Sequence, residues 1–567
     1  MAAIVPLIAF FFLLLISRKW SSSWRESFLT AAVIWGLWLT VITEALSALE
    51  ALAYLTILAS WLVSGAVLAF LYLRFVWGRG VTSGGIPSVA SLPVSLLLPI
   101  CFIVSVTGLI AFVAPPNTWD SMTYHLGRVT HWIQNHDVQH YPTNIHRQLF
   151  MPPWAEFAIT HFSVLSGGDR LANAVQWLSM LGSIVGVSLI AKQLGGNRDC
   201  QVLASLVTVC LPMGILQASS TQNDYVVTFW LVCFVYYELL VLKILGTQLA
   251  LWPPTILAGI SLGLAIITKP TTYLLALPFL VWLLLTLVRK LGVRAVKTVA
   301  AMLMIVVIIN LGHYIRNFQV FGSPLAPPST TSRLTTVSMV THGEFSRVIS
   351  KFASSLIRNT ALEMATPLYY GNRIVEVAVE KLEIMLRLKG PAGEFRLAPR
   401  QNHEDFAGNP IHLLLIGICG VALFDAAKRG RASIIQYYVL CLFAGYLVLC
   451  FSLKWNIWLT RLHLPLFVLW SAAIAIALSE PVFARARTYV IVLLVVTAQY
   501  SLFYNEIRPL IGARSIFSVS RLEQYFRNKP DLQAPYAYAA ALVRDKRCGE
   551  IGLWLEGNTW EYPLWIL

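Results

Sequence analysis

Charged residues are scarce in this chain, and their scarcity argues against a soluble protein. They make up 12% of the 567 residues, while hydrophobic residues make up 57%. A soluble domain carries about 25% charged residues. The apolar runs are also too long and too frequent for a soluble core. In hydrocarbon every backbone polar group must be bonded within its own segment, so these runs have to be helices. The composition therefore predicts an all-α polytopic membrane protein.

Several familiar motifs are absent as well. The eight cysteines lie mostly inside apolar runs and form no CxxC pair, which argues against a disulfide framework and against a cysteine zinc site. The phosphate-binding loops GxGxxG and GxxxxGKS/T do not occur. Histidines crowd between residues 125 and 146 without an HExxH pattern, so they are a weak signal for a metal site.

The apolar runs predict about 14 membrane-spanning helices. The first run precedes Arg18 and Lys19 and lacks the basic start of a secretory signal, so we predict a helix there too. The predicted spans are 2–17, 27–47, 51–76, 93–115, 172–194, 201–218, 225–243, 254–268, 271–288, 297–315, 410–427, 434–453, 461–479 and 487–504.

The basic residues sort the loops onto two sides of the membrane. Alternate short loops are basic, while the loop at 47–51 on the other side is flanked by Glu44 and Glu50. The positive-inside rule makes the basic loops cytoplasmic. The net charge of +15 then reflects topology and does not indicate nucleic-acid binding. The basic loops contain Arg18, Lys19, Arg25, Arg74, Arg79, Lys192, Arg198, Lys243, Arg289, Lys290, Arg294, Lys297, Lys428, Arg429, Arg431, Arg485 and Arg487.

This orientation defines the expected division of the chain. N-terminal spans occupy 1–92, and a membrane core with its outer loops occupies 93–504. A small outer segment, 505–567, is predicted to be mixed α/β. The outer loops of the core are 116–171 and 316–409. Within these outer segments we expect helices at 344–361, 374–389 and 534–546, and a strand at 551–557.

Charged residues at helix ends gather on the outer face. Lys269 is the most informative, because it interrupts an otherwise apolar stretch, and a charge in hydrocarbon costs about 2.5–3.5 kcal/mol on insertion scales. Such a charge is by default a functional-site hypothesis, although a lysine in a short outward loop can also extend to the lipid headgroups. The outer-face set is Asp120, Asp224, Lys269, Arg316, Lys454 and Arg461.

The first outer loop is predicted to begin with an amphipathic helix. Thr118 can cap a helix that runs from Trp119 to about Gln134, with apolar residues every three to four positions. This helix holds Asp120 and Tyr124 one turn apart at the edge of the bilayer. Asp120 is either a functional carboxylate or a plain acid that stabilises the first helical turn.

A carboxylate beside several cations on one membrane face suits a lipid-anchored phosphate. Arginine binds phosphate through two parallel hydrogen bonds, and lysine binds it as a point charge. A carboxylate close to them can act as a general base toward a hydroxyl. A sugar carried on a polyprenyl phosphate would need no nucleotide-binding loop, in agreement with the missing motifs.

Segments on this face resemble the GT-C superfamily of membrane glycosyltransferases, in particular the branch of protein O-mannosyltransferases and the bacterial lipid A aminoarabinose transferase. The likeness covers about residues 93–480 and rests on NTWDSMTYHLGRVTHWIQN, SSTQNDYVVTFW, GLAIITKPT, HYIRNFQVFGSPLAP, HEDFAGNPIHLLL and KWNIWLTRLHLPLF, in this order. The resemblance implies a GT-C-like fold. It also implies transfer of a sugar from a polyprenyl-phosphate donor to an acceptor hydroxyl, with inversion.

The resemblance also implies roles for the outer-face residues. Asp120 takes the place of the general base, and Asp224 that of a second acid that orients the acceptor, positions the sugar or helps to hold a metal. Lys454 is either a fourth phosphate ligand or an interfacial lysine. The cations that match donor-phosphate positions are Lys269, Arg316 and Arg461.

Four further residues are candidates for positioning the acceptor or the sugar. Glu404 and Asp405 can also simply precede the turn at 408–410. The chain departs from the family's usual acidic pair, because Ser121 follows Asp120. This puts a metal held by adjacent carboxylates in doubt, so we assign no metal ligand and leave a need for Mg²⁺ or Mn²⁺ open. The four candidates are Tyr124, His125, Glu404 and Asp405.

Two other classes of protein stay open. Transporters, including flippases of lipid-linked sugars, tend to carry inverted repeats and mid-membrane sites, and neither is evident here. A non-catalytic scaffold would leave Lys269 and the ordered motifs unexplained.

As an enzyme, the protein would lie in the plasma (bacterial inner) membrane with its site on the periplasmic side. It would accept a glycan, a lipid or a protein as its second substrate.

Overall fold

The computed structural model of the protein describes residues 2–21, 23–77, 93–328, 330, 345–388, 394–399, 401–428 and 434–567. Across these ranges the regular secondary structure is helical, without strands, which confirms the predicted all-α class. The longer helices are Val5–Ser17, Trp24–Ala48, Tyr54–Phe75, Val94–Val113, Leu126–Asn135, Trp154–Ser166, Ala174–Gln193, Arg198–Val209, Asp224–Ile244, Trp252–Ile266, Thr271–Leu291, Ala295–Phe321, Phe345–Glu363, Tyr369–Met385, Pro410–Lys428, Ile434–Ser452, Leu464–Ser479, Ala484–Phe503 and Gln533–Asp545. The short helices are Arg147–Phe150, Pro212–Ala218, Arg521–Tyr525 and Tyr562–Ile566.

The predicted apolar runs coincide with helices, so the protein is a multi-span membrane protein. Among the described residues, nine helical stretches are long and apolar enough to cross a membrane, and one of them, Thr271–Phe321, contains two long helices. Arg198–Val209 and Pro212–Ala218 form a further candidate that is bent by 70°. The bend falls at Pro212, which lacks the backbone N–H that a continuous helix needs. Three apolar helices are shorter, so the count of 14 spans stays a prediction.

Side-chain contacts group the helix ends as the predicted topology requires. At the end assigned to the cytoplasm, Lys192 contacts Glu26 at 2.8 Å. At the opposite end, the N–H of Val138 donates to the Ser47 hydroxyl at 2.9 Å. Both contacts join loops that the sequence places on the same side. The predicted basic residues Arg79, Arg429 and Arg431 lie outside the described residues, as does the side chain of Lys428.

The helix Asp224–Ile244 lies at the centre of the membrane core and is buried along nearly its whole length. Its neighbour Ala174–Gln193 approaches it closely through glycines. Gly182 faces the Phe229 ring and Gly186 faces Val232, and neither position has room for a Cβ atom. Small residues of this kind allow membrane helices to pack with their backbones close together. This close packing fixes the positions of the polar residues at the outer ends of the core helices.

The outer loops are helical where the sequence predicts helices. The second loop contains Phe345–Glu363 and Tyr369–Met385. In the first loop a helical path runs from Trp119 to Asn135, but Ser121–His125 forms a π-helical turn before Leu126–Asn135 continues as an α-helix. A π-helical turn widens the helix by one residue, and such turns are common at functional sites.

The C-terminal segment, residues 505–567, packs against the first outer loop. Arg508 donates to the side-chain oxygen of Asn117 at 2.7 Å, and Glu561 contacts His131 at 2.5 Å. The predicted helix forms as Gln533–Asp545. The predicted strand at 551–557 is wrong, because the chain there has no neighbouring strand to share backbone hydrogen bonds. The Leu555 carbonyl accepts a hydrogen bond from the Asn144 side chain instead.

Candidate functional site

Asp120 lies at the start of the first outer loop and is held by two arginines. The Thr118 hydroxyl accepts a hydrogen bond from the N–H of Ser121 at 3.1 Å and so caps this turn, as predicted. Arg147 donates to one carboxylate oxygen of Asp120 at 2.9 Å. Arg461 donates to the other oxygen at 2.8 Å. Both oxygens of the buried carboxylate are therefore paired with guanidinium groups.

The electrostatic surroundings keep Asp120 ionised. Burial alone would raise the pKa of its carboxyl group, because the charged form loses its hydration. The charges of Arg461 and Arg147 outweigh burial and hold the pKa of Asp120 well below its usual range. The group can thus accept a proton only from a partner that is itself made acidic, or after one arginine has moved away.

Arg461 joins two carboxylates. It lies in the 3₁₀ turn Ile457–His463, and its second terminal nitrogen donates to Asp405 at 3.0 Å. Burial raises the pKa of Asp405 above its usual value even though Arg461 lies beside it. One guanidinium group therefore bridges the first outer loop to the segment at the end of the second.

A second ion pair lies next to this bridge. Asp224 begins the helix Asp224–Ile244, and Lys269 lies at the break between two helices. Their side chains meet at 2.5 Å, and Asp224 also interacts with Arg461 through its charge. The other carboxylate oxygen of Asp224 is buried and has no hydrogen-bond partner among the described residues. This oxygen can accept one more hydrogen bond.

Tyr124 and His125 line the back of the Asp120 turn. The Arg147 guanidinium lies 4.9 Å from the centre of the Tyr124 ring. His125 contacts the buried carboxylate of Glu156 at 2.7 Å. The Nε2 atom of His125 has no partner in the described part of the chain. The π-helical turn thus packs a buried phenol and a buried imidazole beside Asp120, which immediately precedes it.

The remaining predicted residues lie apart from this cluster. Arg316 makes two contacts of 2.7 Å with Glu44, which use both of its terminal nitrogens. Glu404 faces Arg508 at 3.3 Å rather than the Asp120 cluster. Lys454 is half-buried in the loop that precedes the turn of Arg461. The structure thus places five of the predicted charges in direct ion pairs with one another and gives Arg316 and Glu404 other partners.

Three charged residues beside the predicted ones were not predicted from the sequence. Arg147 and Glu156 lie in the first outer loop, and Arg508 lies in the C-terminal segment. Glu156 and Arg508 are fully buried, and a buried charge needs a partner because burying it alone is costly. Arg147 is partly exposed, and its contact with Asp120 is what marks it. The sequence around these residues carries no pattern that predicts their contacts. Glu44, the partner of Arg316, entered the sequence argument only as an acid near an outer loop.

The site does not resemble a metal centre in the part of the chain that the structure describes. No three histidine, cysteine, aspartate or glutamate side chains come together there in a way that could hold a metal ion. Both oxygens of Asp120 are also occupied by arginines, whose positive charge opposes a cation. The Asp120 carboxylate therefore becomes available to another cation only when one of its arginines moves away.

The contribution of the Asp224–Lys269 ion pair to the stability of the protein can be tested by substitution. Removing one partner of a buried ion pair leaves an uncompensated charge and typically costs about 3–5 kcal/mol. We expect Lys269→Met to lower the thermal stability of the detergent-purified protein strongly. The double variant Asp224→Asn, Lys269→Met should recover most of the loss. Lys192→Met breaks a more exposed pair and serves as the control, with an expected cost of about 0–1 kcal/mol. Equal stability of the single and double variants would contradict the pairing.

Comparison with known proteins adds an independent observation. Residues 151–313 match the family described as "Dolichyl-phosphate-mannose-protein mannosyltransferase". The predicted resemblance to protein mannosyltransferases is confirmed over this stretch. It contains Asp224 and Lys269, while Asp120 and Arg461 lie on either side of it.

Solved glycosyltransferase structures also align with the chain. ArnT from Cupriavidus metallidurans bound to undecaprenyl phosphate aligns at 15% identity over 83% of this chain and 84% of that chain, with a TM-score of 0.47. Its apo form aligns at 14% identity over the same shares, with a TM-score of 0.48. The archaeal oligosaccharyltransferase AglB from Archaeoglobus fulgidus, in complex with an inhibitory peptide and a dolichol-phosphate, aligns at 11% identity over 82% of this chain and 60% of that chain, with a TM-score of 0.42. No protein of curated function matches the sequence.

Proposed function

We propose that this protein transfers a sugar from a polyprenyl-phosphate donor to a hydroxyl group of an acceptor, with inversion at the anomeric carbon. The reaction takes place on the periplasmic side of the plasma (bacterial inner) membrane. The observation that carries the proposal is the bridge in which Arg461 holds Asp120 at the outer end of the membrane core. It brings a base for the acceptor and a cation for the phosphate to one place.

In the proposed reaction Asp120 removes the proton of the acceptor hydroxyl. The acceptor oxygen attacks the anomeric carbon as the bond from that carbon to the phosphate oxygen breaks. The electron pair of this bond leaves with the phosphate, and the proton stays on Asp120. Attack opposite to the leaving phosphate inverts the configuration. Arg461 and Lys269 stabilise the charge that develops on the phosphate, which is commonly a large part of catalysis.

Donor binding and base strength are coupled in this scheme through Arg461. A phosphate group competes with Asp120 and Asp405 for the same guanidinium. When Arg461 turns toward the phosphate, Asp120 loses one of the charges that depress its pKa, and it becomes a stronger base. The carboxylate therefore gains basicity at the moment that the donor is in place.

The other polar groups of the cluster position the two substrates. The unpartnered oxygen of Asp224 accepts a hydroxyl of the donor sugar or of the acceptor. Tyr124 and His125 support the Asp120 turn from behind and so help to position the substrates, and Asp405 sets the position of Arg461. The acceptor is a glycan, a lipid or a protein, and the same chemistry serves all three.

Mass spectrometry of membrane glycolipids and glycans, with and without the gene, tests the proposal. Cells that carry the gene should contain a glycan with one additional sugar. This product should be missing after deletion and should return with the wild-type gene but not with an Asp120→Asn gene. A flippase would give a different result. The lipid-linked sugar would accumulate on the cytoplasmic leaflet of the deletion strain, and the wild-type gene would not restore a glycan with an additional sugar on a hydroxyl group.

Arg316 provides a second test, because its predicted contact with the donor phosphate competes with Glu44. Arg316→Ala should weaken the binding of a polyprenyl phosphate to the protein in nanodiscs by roughly 10–150-fold, the equivalent of one charge-assisted hydrogen bond. Arg316→Lys should recover only part of the affinity, because an ammonium group cannot form the paired hydrogen bonds. Glu44→Gln frees the guanidinium and should leave the affinity equal or higher. Unchanged affinity of Arg316→Ala would make Arg316 a structural partner of Glu44 only.

A further inference from the structure

A cavity of about 340 Å³ opens on the outer side of the protein, and Asp120, Asp405 and Arg461 are not among the residues that line it. It lies between the helix Tyr369–Met385, residues 397–399 and 401–402, and the end of the helix Ala484–Phe503. Its volume falls at the lower end of the range of small-molecule sites. Its walls are largely polar, whereas typical small-molecule sites are mostly apolar. A ligand of this cavity must therefore be recognised mainly through hydrogen bonds.

Gln401 supplies an unused hydrogen-bond acceptor at this cavity. The residue is 8% exposed, and its amide nitrogen donates to the Ala398 carbonyl. Its side-chain oxygen has no partner among the described residues. A buried carbonyl oxygen without a partner is unfavourable, so a ligand hydroxyl that donates to it would gain affinity.

The charges in the cavity wall are paired and do not favour an anionic ligand. Arg373 contacts Glu376 at 2.8 Å, and Glu376 also accepts a hydrogen bond from the backbone N–H of Leu397 at 2.9 Å. Glu506 accepts a hydrogen bond from the backbone N–H of Asn402 at 3.2 Å. Arg396 contacts Glu376 as well, at 3.1 Å. Carboxylate oxygens such as those of Glu376 and Glu506 accept hydrogen bonds from hydroxyl groups.

Aromatic rings stand at the edge of the cavity. Tyr369 is 74% exposed, and Tyr500 stacks on Tyr504 with ring centres 5.8 Å apart. Flat aromatic faces pack well against the C–H faces of sugar rings, while hydroxyl groups around the ring bond to amides and carboxylates. Acceptor oxygens, paired charges and aromatic faces together match an uncharged carbohydrate better than a lipid phosphate or an acidic peptide.

The cavity also lies next to the proposed reaction centre. Asn402, in its wall, precedes Asp405 by three residues, a distance of at most about 11 Å along the chain. Asp405 shares Arg461 with Asp120. We infer that this cavity binds an uncharged, hydroxyl-rich portion of a glycan acceptor, beside the sugar that receives the transferred residue. The identity of the bound glycan as acceptor rests on the proposed function.

Binding of labelled oligosaccharides to the full-length protein in nanodiscs tests this inference without any transfer reaction. The probes are an array of fluorescent neutral oligosaccharides, with sulfated oligosaccharides and acidic peptides as competing classes. We expect binding within the neutral class. Gln401→Leu should weaken this binding by about tenfold or more. Tyr369→Ala should weaken it as well, and because Tyr369 is mostly exposed, this variant keeps the test valid if Gln401→Leu fails to fold.

Two controls separate the cavity from the rest of the site. Gln499→Leu removes a neighbouring amide that bonds to the Val495 carbonyl, and it should leave glycan binding unchanged. Asp120→Asn should also leave binding unchanged while it lowers transfer by roughly 10²–10⁴-fold. No binding of the neutral class, preferential binding of the acidic probes, or wild-type affinity in both cavity variants would overturn the inference. Normal transfer by Asp120→Asn would count against the proposed base and not against the cavity.

Discussion

Replacing Asp120 with asparagine is expected to lower sugar transfer by roughly 10²–10⁴-fold, the usual contribution of a general base. Asparagine has nearly the same shape and can still accept a hydrogen bond from one arginine. The protein should therefore fold and bind a polyprenyl phosphate at least as well as the wild type, because the negative charge that competes for Arg461 is gone. Turnover of a radiolabelled donor by purified protein measures the effect. Near-normal turnover would remove Asp120 from the catalytic role.

The pH profile offers a matched observation on the same residue. The arginines depress the pKa of Asp120, so the carboxylate is ionised throughout the range above the usual aspartate pKa of about 3.9. We expect no loss of activity through this group between about pH 5 and pH 8. Arg147→Gln removes one of the two charges and should move the acid limb of the profile upward. An acid limb at the same pH in the wild type and in this variant would contradict the electrostatic account.

Arg461→Gln is expected to have the largest effect on stability, because it leaves two buried carboxylates without their shared cation. Breaking a buried ion pair on one side costs about 3–5 kcal/mol. Binding of a polyprenyl phosphate should fall with it. The double variant Arg461→Gln, Asp405→Asn removes one of the stranded charges and should regain part of the stability but not the phosphate affinity. Thermal unfolding in detergent and equilibrium binding in nanodiscs measure the two quantities.

The stability loss of Arg461→Gln should also depend on pH. In the wild type the depressed pKa of Asp120 contributes stability above the unfolded-state pKa of about 3.9, and this contribution disappears as the pH falls through the folded-state value. Without Arg461 that contribution shrinks, so the deficit is largest near neutral pH. It should narrow as the pH approaches about 4 and the carboxyl groups protonate. A deficit that stays constant across this range would show that Arg461 acts through packing and not through charge.

The membrane explains why much of the site could be predicted from the sequence. Apolar runs fix which residues lie at helix ends, and alternation of loops fixes which ends share a face. Asp224 begins a helix and Lys269 interrupts an apolar stretch, so both were predicted at helix ends on the same membrane face. In the structure their side chains form an ion pair. The same reasoning placed Asp120 and Arg461 on one face, although their contact depends on loops that fold toward each other.

The remaining features depend on tertiary contacts that no local pattern encodes. Arg147 reaches Asp120 only because residues 136–146 fold back over the first helical turn. The pairing of Arg316 with Glu44 joins helices that are far apart in the chain. The segment at 551–557 alternates like a strand, yet it forms none because its neighbours are loops and helices. The apolar runs and the charges at helix ends identified the candidate residues. Which of these residues contact each other is determined by the tertiary structure.

The contacts of the C-terminal segment have a consequence for the biosynthesis of the protein. Glu561 contacts His131, Asn558 contacts Arg147, and Arg508 contacts Asn117. Each contact joins residues that are between 391 and 430 positions apart in the sequence. Contacts between such distant parts of a chain are slow to form. The loop that carries Asp120 would therefore reach its final form only after residues 505–567 had been made and had docked onto it.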